Sequence, residues 1–314
     1  MAKFLCITLN PAIDITLQLP TLAVGQVNRA SHSHSRPAGK GLNVAQVLKS
    51  LGHDVWVTGF LGEANQAIFL ADFTTQGLHN AFVTVMGETR QNIKIAEDNG
   101  QMTDVNGKGF SVTDADKAKL LTILPKLCQQ VDYVVMAGSL PQAFSLADFA
   151  ELITTIQQHN PKLAIDSSGD ALTTAVSHSP FLLKPNTDEL QESFGLPAES
   201  LEQQRTLLAH LSHTLHNHTP NWVISMGEQG VNWLNPTQSL HANPPKVTVK
   251  STVGAGDTLL AGVLHGIATA LSTTETLRQA TALASHTVSQ IGCQLPDTSR
   301  LNTLMAQVSI EPLV

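Results

Sequence analysis

Short, continuously apolar runs alternate with longer stretches of helical periodicity along most of this 314-residue chain. The runs are KFLCITL (3–9), DVWVTGF (54–60), DYVVMAG (132–138), KLAID (162–166), FLLKP (181–185) and WVISMG (222–227). Between them lie LNVAQVLKSLG (42–52), which ends on a capping glycine, DADKAKLLTILPKL (114–127) and SLADFAELITTIQQH (145–159). A strand that is apolar throughout needs cover on both faces, and strand–helix–strand connections make neighbouring strands parallel. The pattern predicts an α/β chain in three layers, α/β/α, with a mostly parallel central sheet, as one domain over residues 1–314. After residue 255 the chain is expected to be mostly helical.

Two regions break the alternation. Residues 12–36 and 82–107 carry strand-like stretches with no helix between them. In IDITLQL, Ile13, Ile15, Leu17 and Leu19 fall on one face, and Asp14, Thr16 and Gln18 on the other. In TRQNIKIAEDNGQ, Arg90, Asn92 and Lys94 share a face, and Asn99–Gly100 suits a hairpin turn. These regions are expected to form a small β-sheet lid whose polar face looks into a cleft.

Charge narrows the partners. Lys and Arg number 18 against 25 Asp and Glu, a net charge of −7 with no basic cluster, so no nucleic-acid partner is expected. Cys6, Cys128 and Cys293 are far apart without CxxC spacing and read as buried thiols of a reducing compartment. The opening MAKFLCITLNP has an apolar run too short for a secretory segment or a membrane span; a cytoplasmic location and no membrane partner are expected. The histidines, HSHS (32–35) and HNH (216–218) included, lack partners at metal-ligand spacing and read as surface residues.

STVGAGDTLLAG (251–262) sets two glycines around Ala255 and follows them with Asp257 at the start of a helix-like run. A glycine-rich turn into a helix aims backbone N–H groups at one point, where the helix dipole adds partial positive charge. That place suits a phosphate. Its field is expected to favour ionised Asp257, which could accept a proton from a hydroxyl attacking a bound phosphoryl group. The same residues also suit an ordinary helix start, where Asp is common. No Walker A loop is present, since Gly41 and not Ser or Thr follows Lys40, and the first strand–helix turn has no GxGxxG.

Other constellations stand beside it. In RPAGKGLNVAQ (36–46), Gly39 and Gly41 flank Lys40 before a helix, and Asn43 offers a donor and an acceptor to a polyol, or simply faces water. Arg90, Asn92 and Lys94 suit an anion, and Asp14 suits hydroxyls, so together they match the two ends of a phosphosugar; a solvated strand face is the alternative. In KPNTDEL (184–190), Asn186 and Glu189 have capping-box spacing, and could also organise Mg²⁺ and its waters. AGSLP (137–141) and VISMGEQGV (223–231) follow strand ends, the ligand-binding edge of open α/β sheets.

In order, GKGLNVA, TRQNIKI, AGSLP, KPNTDEL, SMGEQG and STVGAGD resemble the ribokinase-like sugar kinases, phosphofructokinase B family, over essentially the whole chain. The likeness is greatest to the bacterial branch that makes fructose 1,6-bisphosphate from fructose 1-phosphate and ATP. The resemblance implies an α/β/α domain with a β lid shared across a homodimer. It implies Asp257 as the base and Gly254, Ala255 and Gly256 as an anion hole for the transferring phosphoryl group. Asp14, Gly39, Lys40, Asn43, Arg90, Asn92 and Ser139 would hold the sugar phosphate, with Arg29 and Lys94 as further phosphate contacts. Lys184, Asn186, Ser225, Gly227, Gly230 and Thr252 would serve the nucleotide, and Asn186 and Glu189 would reach Mg²⁺ through water. Ala38 stands where many relatives have glycine, and would be strained if its φ had to be positive.

The alternatives within the fold are kinases of tagatose 6-phosphate or fructose 6-phosphate. A plain sugar or nucleoside kinase would leave Arg90 and Lys94 without an anion. A non-catalytic sugar-phosphate sensor is the alternative of another class, against which the intact GAGD stretch argues.

Overall fold

The computed structural model describes residues 1–290 and 294–313. The chain begins β1 (Lys3–Thr8), β2 (Ala12–Leu19), β3 (His32–Ala38), α1 (Lys40–Ser50), β4 (Asp54–Gly62), α2 (Ala67–Gln76), β5 (His79–Asn80) and β6 (Val83–Val85). It continues β7 (Arg90–Glu97), β8 (Met102–Asn106), α3 (Asp114–Gln129), β9 (Tyr133–Ala137), α4 (Leu146–His159), β10 (Leu163–Asp166), α5 (Gly169–Ser177) and β11 (Leu182–Leu183). Then follow α6 (Thr187–Phe194), α7 (Leu201–Thr214), β12 (Asn221–Ser225), β13 (Val231–Leu234), β14 (Ser239–Asn243), α8 (Ala255–Ala268), α9 (Thr273–Val288), α10 (Thr298–Gln307) and β15 (Ser309–Pro312).

Eleven strands form one sheet in the order β15-β14-β13-β12-β11-β10-β9-β1-β4-β5, with β6 also on β4. From β5 to β12 neighbours are parallel, and β13, β14 and β15 extend the other edge antiparallel. β1 shows why both faces are covered. Phe4 and Cys6 enter one core with α1, α2, α8, α9 and α10, while Leu5 and Ile7 enter the other with α3 to α7. All four are fully buried, and each of the three larger ones contributes roughly 1.5–3 kcal/mol by leaving water. The three-layer arrangement follows directly from that alternation along continuously apolar strands.

Local chemistry sets the helix starts. Thr113 and Asp116 at α3, Ser145 and Asp148 at α4, and Asn186 and Glu189 at α6 form reciprocal capping boxes. The helix expected at 42–52 starts two residues earlier, at Lys40, directly after Gly39. FLLKP yields only Leu182–Leu183, because Pro185 has no N–H to continue a ladder. The β13–β14 hairpin and β15 were not anticipated; β15 is a four-residue strand held by its pairing with β14.

A separate four-stranded sheet has the order β3-β2-β7-β8. Asp14 stands opposite Arg36 on β3 and opposite Asn92 on β7. Gly100, at φ +88°, makes the turn between β7 and β8. Val83–Val85, which fell inside the expected lid, pair with β4 in the large sheet instead, because Val83 and Val85 bury their side chains in the main core.

Cys6 and Cys128 are buried free thiols, both with pKa pushed up by burial; Cys293 lies outside the described residues. His32, His34, His216 and His218 are exposed, but His53 is buried and its Nε2 lies 2.9 Å from His265 Nδ1. Among the described residues no helix is long and apolar enough to cross a membrane.

Candidate active site

Strand order reverses at β1, whose neighbours β4 and β9 lead the chain to opposite sides. Open α/β sheets bind ligands beyond the carboxyl ends of strands at such a reversal. There Asn10, just past β1, donates from Nδ2 to Ser139 Oγ (3.1 Å) and to Leu140 O (3.2 Å), just past β9. Further along this edge β10 ends at Asp166, β11 leads into Lys184 and β12 ends at Ser225.

The GKG stretch lets α1 start hard against β1. Gly39 has φ +145°, and a Cβ on Gly41 would lie 2.4 Å from Thr8 Oγ1 and 2.6 Å from Ile7 O. Only glycine allows that approach, which brings Asn43 to the site on the first turn of α1. Ala38 ends β3 and is not among the residues with positive φ, so alanine there carries no strain.

Gly254 takes the left-handed conformation (φ +82°) as N-cap of α8, and Ala255, Gly256 and Asp257 form the first turn, which no side chain caps. Asp257 is buried, and its Oδ2 accepts a 2.7 Å hydrogen bond from Asn43 Nδ2. Its carboxyl is pushed up to about 6 by burial and by the neighbouring Asp166 charge, against the hydrogen bond from Asn43 and the charges of Lys40 and Lys184. The helix-start field was expected to favour the ionised form; loss of water around the carboxylate outweighs it.

Asp166 is a residue that sequence reasoning missed. It is 1% exposed, with Lys184 Nζ 3.1 Å from Oδ2 and Lys40 Nζ 3.1 Å from Oδ1. Burial pushes its carboxyl up, but Lys184 and Lys40 overcome that and hold it below the usual value. Its one sequence signal was a carboxylate ending an apolar strand. Lys40, expected beside the sugar, reaches Asp166 and also Glu189 Oε1 (3.4 Å). Burial alone would lower the Lys40 pKa, but Asp166, Glu189 and Asp257 raise it, so the ammonium stays charged.

Asn186 and Glu189 cap α6 reciprocally: Glu189 N donates to Asn186 Oδ1 (2.7 Å), and Asn186 N donates to Glu189 Oε2 (2.9 Å). Ser225 bridges to Asn186 at the end of β12. Gly227 (φ +57°) opens a single 3₁₀ turn that ends at Gly230 (φ +102°). A Cβ on Gly230 would lie 2.1 Å from Ala242 O, so packing on β14 alone demands glycine there. Thr252 is exposed just ahead of Gly254.

The small sheet brings its polar residues together. Asp14, 6% exposed, accepts from Asn92 Nδ2 at Oδ1 (3.1 Å) and from Lys94 Nζ at Oδ2 (3.1 Å), and Arg36 Nη2 lies 3.7 Å from Oδ2. Arg90 donates from Nε to Pro11 O (3.3 Å) and from Nη2 to Asn10 O (3.2 Å). Burial lowers the Arg90 pKa while Asp14 raises it, and the guanidinium remains protonated. Asn43 Oδ1 and Asn92 Oδ1 are buried acceptors without a hydrogen-bond partner. Arg29 is exposed in the β2–β3 loop, and no hydrogen bond or ion pair joins it to this cluster among the described residues.

Among solved structures, phosphofructokinase-2 from Escherichia coli in complex with potassium matches with a TM-score of 0.87 at 23% identity, covering 98% of this chain and 99% of that one. The fold is thus that of the ribokinase-like kinases. The family model described as pfkB family carbohydrate kinase matches residues 7–300, and the chain belongs to that family. It is an enzyme, a phosphotransferase with a hydroxyl acceptor. It is 43% identical to a 1-phosphofructokinase of Vibrio cholerae over 311 residues, 99% of this chain and 97% of the relative. It is 39% identical to a 1-phosphofructokinase of Escherichia coli K12, covering 98% of this chain and 97% of that protein.

Proposed function

We propose that this kinase transfers the γ-phosphoryl group of ATP to a hydroxyl of fructose 1-phosphate, forming fructose 1,6-bisphosphate and ADP. One observation carries the chemistry: Asp257, a buried carboxylate with a pKa near 6, sits in the uncapped first turn of α8 and is oriented by Asn43. The names of the full-length relatives support the substrate.

Asp257 accepts the proton of the attacking hydroxyl, and the amides of Gly254, Ala255 and Gly256 face the charge on the transferring group. Asn43 Oδ1 and Asn92 Oδ1 are buried acceptors without a partner that suit sugar hydroxyls, with Asp14, Gly39 and Ser139 as further sugar contacts. Arg90 and Lys94 face the substrate phosphate. Lys184, Ser225, Gly227, Gly230 and Thr252 face the nucleotide.

Asp166 and Glu189 share the Lys40 ammonium, and among the described residues no group of three His, Cys, Asp or Glu converges. Two carboxylates already placed around a cation fit Mg²⁺ held through water and nucleotide phosphates, as this ion favours. When bound it would neutralise phosphate charge, with Asn186 and Glu189 holding its waters.

Half-buried Leu17 and Ile93 with exposed Val105 lie on the other face of the small sheet, beside Ile15, which packs on the main core, and this apolar row supports a homodimer joined there.

An ADP-release assay with Mg-ATP tests the substrate, comparing fructose 1-phosphate, fructose 6-phosphate and tagatose 6-phosphate at matched concentrations. The highest kcat/KM is expected for fructose 1-phosphate. Preference for a 6-phosphate overturns the substrate but keeps the chemistry, and no turnover with any of them favours a sugar-phosphate sensor.

A further inference from the structure

Three cations surround one carboxylate on the cleft face of the small sheet, and they are not equally free. Arg90 uses Nε and Nη2 on the main-chain carbonyls of Pro11 and Asn10, which ties β7 to the turn after β1. Lys94 and Arg36 have no such anchor. Both converge on a single oxygen, Asp14 Oδ2, at 3.1 and 3.7 Å, while Oδ1 is taken by Asn92. Lys94 hydrogen-bonds to that oxygen, whereas Arg36 lies beyond hydrogen-bond distance of it. The longer contact is that of Arg36, whose side chain is 29% exposed against 15% for Lys94.

The pairing register puts Arg36 on the cleft face. It stands directly opposite Asp14 across β2 and β3, so the two side chains share a face. Asn92 extends the same row on β7, with Arg90 one step to one side and Lys94 one step to the other. Arg36, Arg90 and Lys94 against Asp14 leave a surplus of two positive charges. Asp104, opposite Lys94 on β8, shares this face but is exposed and forms no ion pair among the described residues, so solvent screens its charge more than those of the half-buried cluster.

From this geometry we infer that Arg36 is a specificity-determining residue, a cation for the phosphate the sugar already carries; this rests on the sugar-phosphate reading above. A phosphate monoester near neutral pH carries close to two negative charges, which matches the surplus. When a sugar hydroxyl donates to Asp14, the Arg36 guanidinium turns from Oδ2 to the phosphate, and its planar fork can bind two phosphate oxygens at once. Lys94 supplies a point charge from the other flank, and Arg90 stays tied to the main chain while adding its charge. An unphosphorylated ketose leaves Arg36 and Lys94 crowded on one carboxylate and gains nothing from either.

The test is Arg36→Gln, assayed with fructose 1-phosphate and with fructose. Losing a charge-assisted hydrogen bond predicts a fall in kcat/KM for fructose 1-phosphate of about 10- to 100-fold, mainly through KM, with the KM for ATP changing far less. The slope with fructose is expected to fall at least about tenfold less than that. Arg36→Lys restores part of the loss, and thermal melts show that both variants fold. An equal loss for fructose and its phosphate would mean that Arg36 only holds Asp14 and would overturn the inference, as would no loss at all. If wild type prefers another ketose phosphate, the same comparison is made with that phosphate and its parent ketose. The substrate can then fail while Arg36 stands, and Arg36 can fail while the substrate stands. A wild type that turns over no sugar phosphate overturns both.

Discussion

Asn43 Nδ2 lies 2.7 Å from Asp257 Oδ2, a hydrogen bond between the first turns of α1 and α8 that spans 214 residues of sequence. It holds the one carboxylate of the site whose proton affinity has been raised towards neutrality. The bond opposes that rise, since it favours the charged acceptor.

With Asp257 near 6, kcat/KM should fall below about pH 6 as the proposed base becomes protonated. Asn43→Ala removes a contact that lowers this pKa, so the acid limb should move to higher pH. The substrate phosphate also titrates near pH 6, but its ionisation does not respond to the mutation. An acid limb at the same pH in both enzymes would show that Asp257 is not the group observed.

Two adjacent Asp→Asn changes should have opposite effects on stability. The Asp257 pKa is raised from 3.8 to about 6, so its charge costs the folded state nothing below 3.8 and the full amount above about 6. That amount is on the order of 3 kcal/mol. Asp257→Asn should therefore melt higher than wild type at pH 8, while kcat falls by about 10²–10⁴-fold. Asp166 is held below its usual value, so it contributes stability above its unfolded pKa and loses it as pH falls through the folded one. Asp166→Asn leaves Lys40 and Lys184 without their shared partner and should cost about 3–5 kcal/mol at pH 8. Thermal melts of the two variants side by side check the signs, and a lowered Tm in both would refute the account of Asp257.

Gly41→Ala should damage catalysis through α1. The added Cβ would press on Thr8 Oγ1 and Ile7 O at 2.4 and 2.6 Å, an overpacking worth roughly 1–3 kcal/mol. Relief requires the start of α1 to move, and Asn43 moves with it. Urea melts and kcat measured together should show both losses; unchanged kcat would mean that Asn43 is placed by something other than this approach.

Ile93→Asp should separate the proposed homodimer, because it sets a charge in the middle of the apolar row on the small sheet, opposite Ile15 and Val105. Sedimentation velocity should show wild-type dimer and variant monomer. A variant that remains a dimer would place the interface elsewhere.

Some of the site could be read locally. The glycine turn before Asp257, the Asn186–Glu189 capping box and the shared face of Arg90, Asn92 and Lys94 each depend on spacing within one element. Asp166 and Arg36 could not be found that way. One ends an apolar strand and the other sits in a polar stretch, HSHSRPA, and each becomes a site residue only through partners on other strands and helices.

Most of the strands and helices, the Asn186–Glu189 cap and the turn at Gly100 follow from the sequence, because they depend on side-chain periodicity and on conformations open to few residue types, whereas the β13–β14 hairpin and β15 do not. It takes packing to bring Lys40 and Lys184 onto Asp166, to set Arg36 against Asp14, and to let Asp257 hold its proton to about pH 6. Proton affinity and ion pairing depend on how much water is excluded and which charges stand within a few ångströms. Packing sets both, by joining residues that lie far apart along the chain.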